Sequence, residues 1–292
     1  MKHSGRMRGM APFYWAIFAP ALAVMVLLTV YPILNVAVTS FQNYNYLTGV
    51  RRWTGIGNYV DILRDKVFLR AFLNTILYCL GTTVCEVGFG TILALVFFGE
   101  FRGKSGFMIM AIFPMMLSTM VVCAVWKTLY HYDIGLFNYV LNSLGLGKVG
   151  WLIDKDKALL SLAIVDIWQW TPFAFIVMQA GLSSVPTEIF EASMIDGANY
   201  RQTVFRVTLP ILKDQIFLLL LLRAIDTFKI FAKVMALTRG GPGNATETTS
   251  FFIYREAFSY FKLGRSSAAS VITLATVALA SVYYLRKILK EE

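Results

Sequence analysis

The sequence predicts an all-α integral membrane protein with six membrane-spanning helices. Three observations predict it. Of the 292 residues, 57% are hydrophobic, and they fall in long runs instead of the alternation of a half-buried strand. Each run holds about 18 or more residues with few charges, which is the length a helix needs to cross a hydrocarbon core. The basic residues behind the net charge of +10 are spread over the segments between runs and over the tails. In such places they set topology or meet anionic lipid. With no zinc-finger spacing and no basic aromatic patch, they do not indicate nucleic acid.

The six runs lie near residues 13–39, 71–98, 106–129, 158–182, 209–237 and 265–286. The first is too long and too poorly flanked for a cleaved secretory signal. All six are read as one membrane domain covering residues 1–292, with a core of about 71–286. The N-terminal tail carries Lys2, Arg6 and Arg8 and no acid, which predicts a cytoplasmic start. The short loop 100–107 and the tail with Arg286, Lys287 and Lys290 then lie inside too, so both termini are expected in the cytoplasm. Lys and Arg in the longer outer loops are not fewer than those inside. The orientation therefore rests on the first helix and on the density of charge.

Segment 40–70 is an outer loop. Its Tyr44, Tyr46, Trp53 and Tyr59 read as anchors at the headgroup level. Gly55-Ile56-Gly57-Asn58-Tyr59 reads as its turn, and 58–69 as a short helix on the membrane. Cys79, Cys85 and Cys123 fall inside apolar runs and read as small buried hydrophobes, not as a disulfide framework or metal site. His3 and His131 are isolated. Gly99-Glu100-Phe101-Arg102-Gly103-Lys104-Ser105 has three residues between its glycines where a phosphate-binding loop needs four, and it follows a helix where a strand is required. It is rejected. No other stretch resembles an ATP site, so ATP hydrolysis would have to come from a partner. Segment 130–157 is a second outer loop, in which Asp154 to Lys157 form a solvated face.

The fourth run places Asp166, Trp170 and Phe173 on one helix face, with Gln169 beside them and Pro172 as an expected kink. The fifth places Arg223, Asp226, Thr227, Ile230 and Lys233 close to one face, with Lys229 beside it. Arg223 and Asp226 fall near mid-membrane, where an ionised group costs roughly 2.5–3.5 kcal/mol on insertion scales and either pairs or faces a watery cavity. Glu86 in the second run is a third such group. Two roles stay open: Arg223 pairs with Asp226 or Asp166 to hold helices together, or these groups line a polar path.

Between these two runs lies a polar elbow. Pro186 suits the first turn of a helix. Ile189, Phe190, Met194 and Ala198 recur at helical spacing, and Gly197 is able to take the left-handed conformation that ends the helix. A second short helix is expected from about Asn199 to Thr208, before Pro210. After the fifth run, Leu237-Thr238-Arg239-Gly240-Gly241-Pro242-Gly243-Asn244-Ala245-Thr246 is a tight turn set. Its Asn-x-Thr reads as a chance glycosylation match.

Glu191-Ala192, Asp196-Gly197-Ala198 and Leu209-Pro210 resemble the EAA loop of ABC importer permeases. Ser193 stands where that family usually has a second Ala, and Asp214 where it often has Pro. Leu237-Thr238-Arg239-Gly240-Gly241-Pro242, followed by Tyr254, Phe258 and Gly264, resembles the Leu-Thr-x-Gly-Gly-Pro signature of carbohydrate-importer permeases of the MalF-like and UgpA-like type. Phe231-Ala232 departs from a common Phe-Asp. Gly55-x-x-Asn58-Tyr59 is similar to a stretch before their second helix. The resemblance implies an ABC type I importer permease (MetI-like) fold in a prokaryotic inner membrane.

The resemblance also implies roles. Glu191, Ala192, Ser193, Asp196, Gly197, Ala198, Phe205, Leu209 and Pro210, in a cytoplasmic loop at 183–208, would couple to a separate ATPase. Asp166, Gln169, Trp170, Phe173, Arg223, Asp226, Thr227 and Ile230 would line the substrate pathway. An aromatic face suits sugar C–H groups, and carboxylate, guanidinium and hydroxyl suit sugar hydroxyls. A neutral sugar or oligosaccharide ranks ahead of an anionic glycan or polyol phosphate. The implied partners are a second, MalG-like permease subunit, two copies of an ABC ATPase holding ATP and Mg, and an extracytoplasmic substrate-binding protein. No cofactor and no catalytic residue is expected in this chain. A secondary transporter driven by an ion gradient is the alternative, with Asp166, Glu86 or Asp226 as proton site. It predicts an internal repeat, of which the sequence shows none, and leaves the elbow unexplained. An intramembrane enzyme would need a His pair, a Ser-Lys or a paired-Asp constellation, and none is compelling.

Overall fold

A computed structural model describes residues 4–99 and 101–288. Lys2, His3, Glu100 and Lys290, which the sequence reading used, lie outside the described residues. Two compact units are present: the chain up to Arg64 with Ile253–Thr273, and Asp65–Phe252 with the chain from Leu274.

The first unit begins with α1 (Ser4–Thr39). The apolar stretch Ile17–Thr39 buries nothing within the chain, so lipid or another subunit must cover it. Strands β1 (Gln42–Tyr44) and β2 (Arg51–Trp53) form an antiparallel hairpin with Gln42 opposite Trp53 and Tyr44 opposite Arg51. Helix α2 (Gly57–Arg64) follows. Asn58 is buried and donates to the carbonyls of Ser40 at 2.8 Å and Gln42 at 2.9 Å. The Tyr59 hydroxyl lies 2.6 Å from the Ser40 hydroxyl. These two residues therefore latch the hairpin, and Tyr59, read from the sequence as a headgroup-level anchor, also holds the Ser40 hydroxyl. The helix expected over 58–69 stops at Arg64. The Asp65 carboxylate accepts from the N–H groups of Val67 and Phe68 and caps the start of the next helix.

The second unit holds α3 (Lys66–Val96), α4 (Lys104–Met116), α5 (Thr119–Leu129), α6 (Leu136–Ser143) and α7 (Ala158–Ser184). Then come α8 (Thr187–Ile195), α9 (Tyr200–Thr203), a π-helical turn Val204–Thr208 and α10 (Leu209–Ile211). Next are α11 (Lys213–Phe228), α12 (Ala232–Leu237) and α13 (Thr249–Tyr254). Past a second π-helical turn, Arg255–Ser259, helix α14 (Leu263–Ile288) runs from the first unit into the second. Among the described residues Asp154 marks a solvated turn: the N–H of Asp156 and the ammonium of Lys157 hold its carboxyl below the usual range.

The core of this unit joins α3, α7 and α11 through Val87, Ala94, Ala174, Phe175, Met178 and Leu219. Gly90 makes the closest approach. A Cβ there would stand 2.5 Å from the Ala174 Cβ and 2.7 Å from the Phe175 nitrogen. Small residues at such crossings let membrane helices pack backbone to backbone.

The six apolar runs are all present as helix, but not as six uninterrupted spans. Four described helices are long and apolar enough to cross a membrane: Ile17–Thr39 within α1, α3, α7, and Leu263–Lys287 within α14. The third run, expected as one helix, breaks between α4 and α5 with a 96° bend. Pro114, in the last turn of α4, cannot donate to the Met110 carbonyl, and at the break itself Gln169 donates to the Leu117 carbonyl at 3.1 Å. The fifth run is also divided, into the short α10 and the longer α11 and α12, with its main break between the last two. Its break is closed by the N–H groups of Lys229 and Ile230 bonding three residues back, and Thr248 donates to the Ile230 carbonyl at 3.2 Å. Non-helical backbone at membrane depth persists where protein groups satisfy it in this way. Helix α7, by contrast, continues through Pro172.

Candidate functional site

The charged groups inside the apolar runs meet in two sets. Arg223, on α11, donates through Nε to Glu86 on α3 at 2.7 Å and through Nη1 to Asp226 at 3.0 Å. Its Nη2 lies 3.4 Å from the Thr227 hydroxyl, and its guanidinium sits 4.8 Å over the ring of Trp170 on α7. Glu86 and Arg223 are buried, whereas Asp226 is 54% exposed. In the second set, Lys233 on α12 pairs with Asp166 on α7, both buried. The break at Lys229–Phe231 thus separates the helix whose arginine pairs with α3 from the helix whose lysine pairs with α7.

This resolves the pairing that the sequence left open. Arg223 takes Asp226 as a partner but not Asp166, which belongs to Lys233. Its main buried partner is Glu86, which sequence reasoning flagged as charged but did not assign to the site. Lys233 was seen on the stripe and likewise left out. Both carried a usable signal, an ionisable side chain within an apolar run.

The structure brings Trp170, Arg223, Asp226 and Thr227 together. The other residues expected with them do different work. Gln169 is buried and holds the bend at Leu117. Phe173 packs edge-on against Trp170 and onto the helix core. Ile230 is buried, with its carbonyl taken by Thr248. What stays accessible is therefore part of Trp170, the Asp226 carboxylate and the Lys229 ammonium, which lies 3.8 Å from Asp226.

Asn74 is a residue that sequence reasoning missed. Its amide donates to the carbonyls of Asn244, Ala245 and Glu247 at 3.4, 3.1 and 3.0 Å. It fastens the Gly-rich turn to α3, and Thr246 to Thr249 are fully buried there. A single Asn in an apolar helix carries no spacing signal that would reveal such a contact.

The elbow forms as its sequence suggests, with one difference. Helix α8 ends in Gly197 at φ 78°, and the N–H of Ala198 returns to the Ser193 carbonyl at 3.0 Å. Asn199 and Gln202 then make a reciprocal capping box that starts α9. The short helix expected from Asn199 to Thr208 instead widens into the π-helical turn, whose Thr208 hydroxyl donates five residues back to Thr203. Ser193 is buried, donates to the Phe190 carbonyl and lies 3.2 Å from the Thr203 hydroxyl, which ties the two arms together. Glu191, Ala192 and Asp196 are exposed. So are the apolar side chains of Met194, Ile195, Tyr200 and Phe205, with Ile195 at 85%. An elbow that shows large apolar side chains beside carboxylates offers a docking face.

A family model described as "Binding-protein-dependent transport system inner membrane component" matches residues 86–290. The chain is 35% identical over 264 residues to a probable ABC transporter permease protein, y4oQ, of Sinorhizobium fredii, covering 90% of this chain and 85% of that one. It is 30% identical over 270 residues to the trehalose/maltose transport system permease protein MalF of Thermococcus litoralis, covering 91% and 90%. In fold it is similar to a chain of a bacterial ABC transporter involved in the import of the acidic polysaccharide alginate. That match has a TM-score of 0.86 at 19% identity and covers 97% of this chain and 96% of that chain.

Proposed function

The chain belongs to the binding-protein-dependent transport system inner membrane components, and from that premise we propose how its two sites divide the work of import. It is a multi-pass inner-membrane permease of an ATP-driven importer for sugars or oligosaccharides, and a non-catalytic subunit: the ATPase activity belongs to a partner. The elbow of Glu191, Ala192, Ser193, Asp196, Gly197, Ala198, Phe205, Leu209 and Pro210 is the coupling element. The group around Trp170, Arg223, Asp226 and Thr227 borders the substrate path.

The observation that carries the coupling role is the exposed apolar crest of Met194, Ile195 and Phe205 on an elbow fixed by Gly197 and the Asn199–Gln202 box. A crest of this kind fits a cleft on a soluble ATPase. The full assembly would hold a second, MalG-like permease, two ATPase copies that bind ATP and Mg, and an extracytoplasmic binding protein. Both termini would lie in the cytoplasm, on the same side as the elbow, in keeping with the basic N-terminal tail.

A neutral sugar is favoured over an anionic one. Each buried charge beside Trp170 already has a partner of opposite sign: Arg223 with Glu86 and Asp226, Lys233 with Asp166. No buried cation in this set is left over for a carboxylate or phosphate. Affinity purification of the tagged permease in mild detergent tests the reading. Recovery of an ABC ATPase and a second permease supports it, and a chain that purifies alone while still driving uptake refutes it.

A further inference from the structure

A small groove of mixed character sits at the end of α1 that the proposed orientation puts outside, and the transport role leaves it unused. It encloses about 290 Å3. One wall is apolar, made by Tyr31, Leu34 and Val38 of α1, and these three are exposed. The other end is polar, with Asn35, Thr39 and Gln42 beside Arg51 of the hairpin. Thr39 donates to the Asn35 side-chain oxygen Oδ1 at 3.2 Å, which leaves the Asn35 side-chain N–H groups available as donors. The Arg51 guanidinium lies 4.1 Å over the Tyr44 ring, and no described carboxylate stands within ion-pair distance of it. Segment 40–64 carries Arg51, Arg52 and Arg64 against Asp61 alone. A basic excess in an outer loop runs against the usual distribution of charge around membrane helices, so topology does not account for it.

We propose that this groove binds one anionic phospholipid, its phosphodiester meeting Arg51, Asn35 and Gln42 and an acyl chain lying along Tyr31, Leu34 and Val38. The chemistry selects that ligand. The apolar wall belongs to a helix whose membrane stretch is not covered by its own chain, so an acyl chain has access to it wherever the partner permease does not cover it. A phosphodiester joined to an acyl chain offers an anion to the polar end of the groove and a hydrocarbon to its apolar wall. The Tyr44 ring holds the guanidinium in position, which lowers the ordering cost of binding.

The test is native mass spectrometry of the full-length permease with its partner subunits, released in mild detergent after incubation with equal amounts of phosphatidylglycerol and phosphatidylcholine. The intact protein is expected to retain phosphatidylglycerol preferentially. Arg51→Gln should cut that preference about five-fold, the ratio for one basic side chain near an anionic lipid surface. Arg52→Gln, on the other face of β2, should leave it unchanged. Undiminished preference in Arg51→Gln would overturn the site. Displacement of the lipid by inorganic phosphate would overturn the acyl-chain contact and leave a simple anion site. If Arg51→Gln instead releases a second permease chain with lipid retention intact, the groove is a protein interface and the proposal fails.

Discussion

Arg223 and Glu86 form the central ion pair of the larger unit, 2.7 Å apart and buried on two different helices, α11 and α3. Removing one partner strands the other. Glu86→Ala should therefore destabilise the fold by roughly 3–5 kcal/mol, and the double change Glu86→Leu with Arg223→Met should recover most of the loss. Thermal unfolding in detergent, followed by loss of the monodisperse peak, checks both. A single Glu86→Ala variant as stable as the parent would show that the pair is not structural.

Asp226 should behave differently although it contacts the same arginine. It is exposed, and Arg223 keeps Glu86 when Asp226 is changed. Asp226→Asn should cost at most about 1 kcal/mol, as exposed pairs do. The sequence offered Asp226 or Asp166 as the partner of Arg223, and the Glu86 contact is what keeps the guanidinium paired when Asp226 is changed. The same detergent melts would contradict the assignment if Asp226→Asn proved as damaging as Glu86→Ala.

Trp170→Ala and Thr227→Leu should lower uptake while basal ATPase activity and subunit recovery stay close to the parent. Trp170 presents a half-buried ring beside Arg223, and the Thr227 hydroxyl is a partner of that guanidinium. Uptake of labelled sugar into proteoliposomes, with binding protein and ATP supplied, gives the measurement. Unaltered uptake in both would remove this face from the path.

Gly197→Leu should uncouple the transporter without preventing its insertion. The residue sits at φ 78° with open space around it, so the penalty comes from the backbone, on the order of 1 kcal/mol or more for a branched side chain in the left-handed region. Substrate-stimulated ATPase and uptake should fall together, and Glu191→Arg should act in the same direction. If both variants transport normally, the elbow is not the coupling element.

Gly90→Val tests the crossing of α3 and α7. The added side chain would meet the Ala174 Cβ and the Phe175 backbone, not a flexible tip, so the helices must separate at a cost of about 1–3 kcal/mol. Lower melting with intact membrane targeting is expected, and Gly88→Val, where a Cβ meets nothing within 4 Å, should be silent.

Much of this could be read directly from the chain. Runs of apolar residues longer than a bilayer is thick have few alternatives to helix, because every backbone polar group must be satisfied locally. The elbow was equally legible, since Gly197, Asn199 and Gln202 act on neighbours a few residues away. What the sequence could not decide were contacts between residues far apart along the chain. Arg223 had Asp226 three residues away as an obvious partner, yet Glu86, 137 residues distant, is the one buried with it. The breaks at Leu117 and Ile230 are likewise sustained from elsewhere, by Gln169 and Thr248. A local pattern gives the cost of burying a charge or opening a helix. Which remote group offsets that cost depends on which helices the packing of Gly90 against Ala174 and Phe175 brings side by side, and only the tertiary structure determines that.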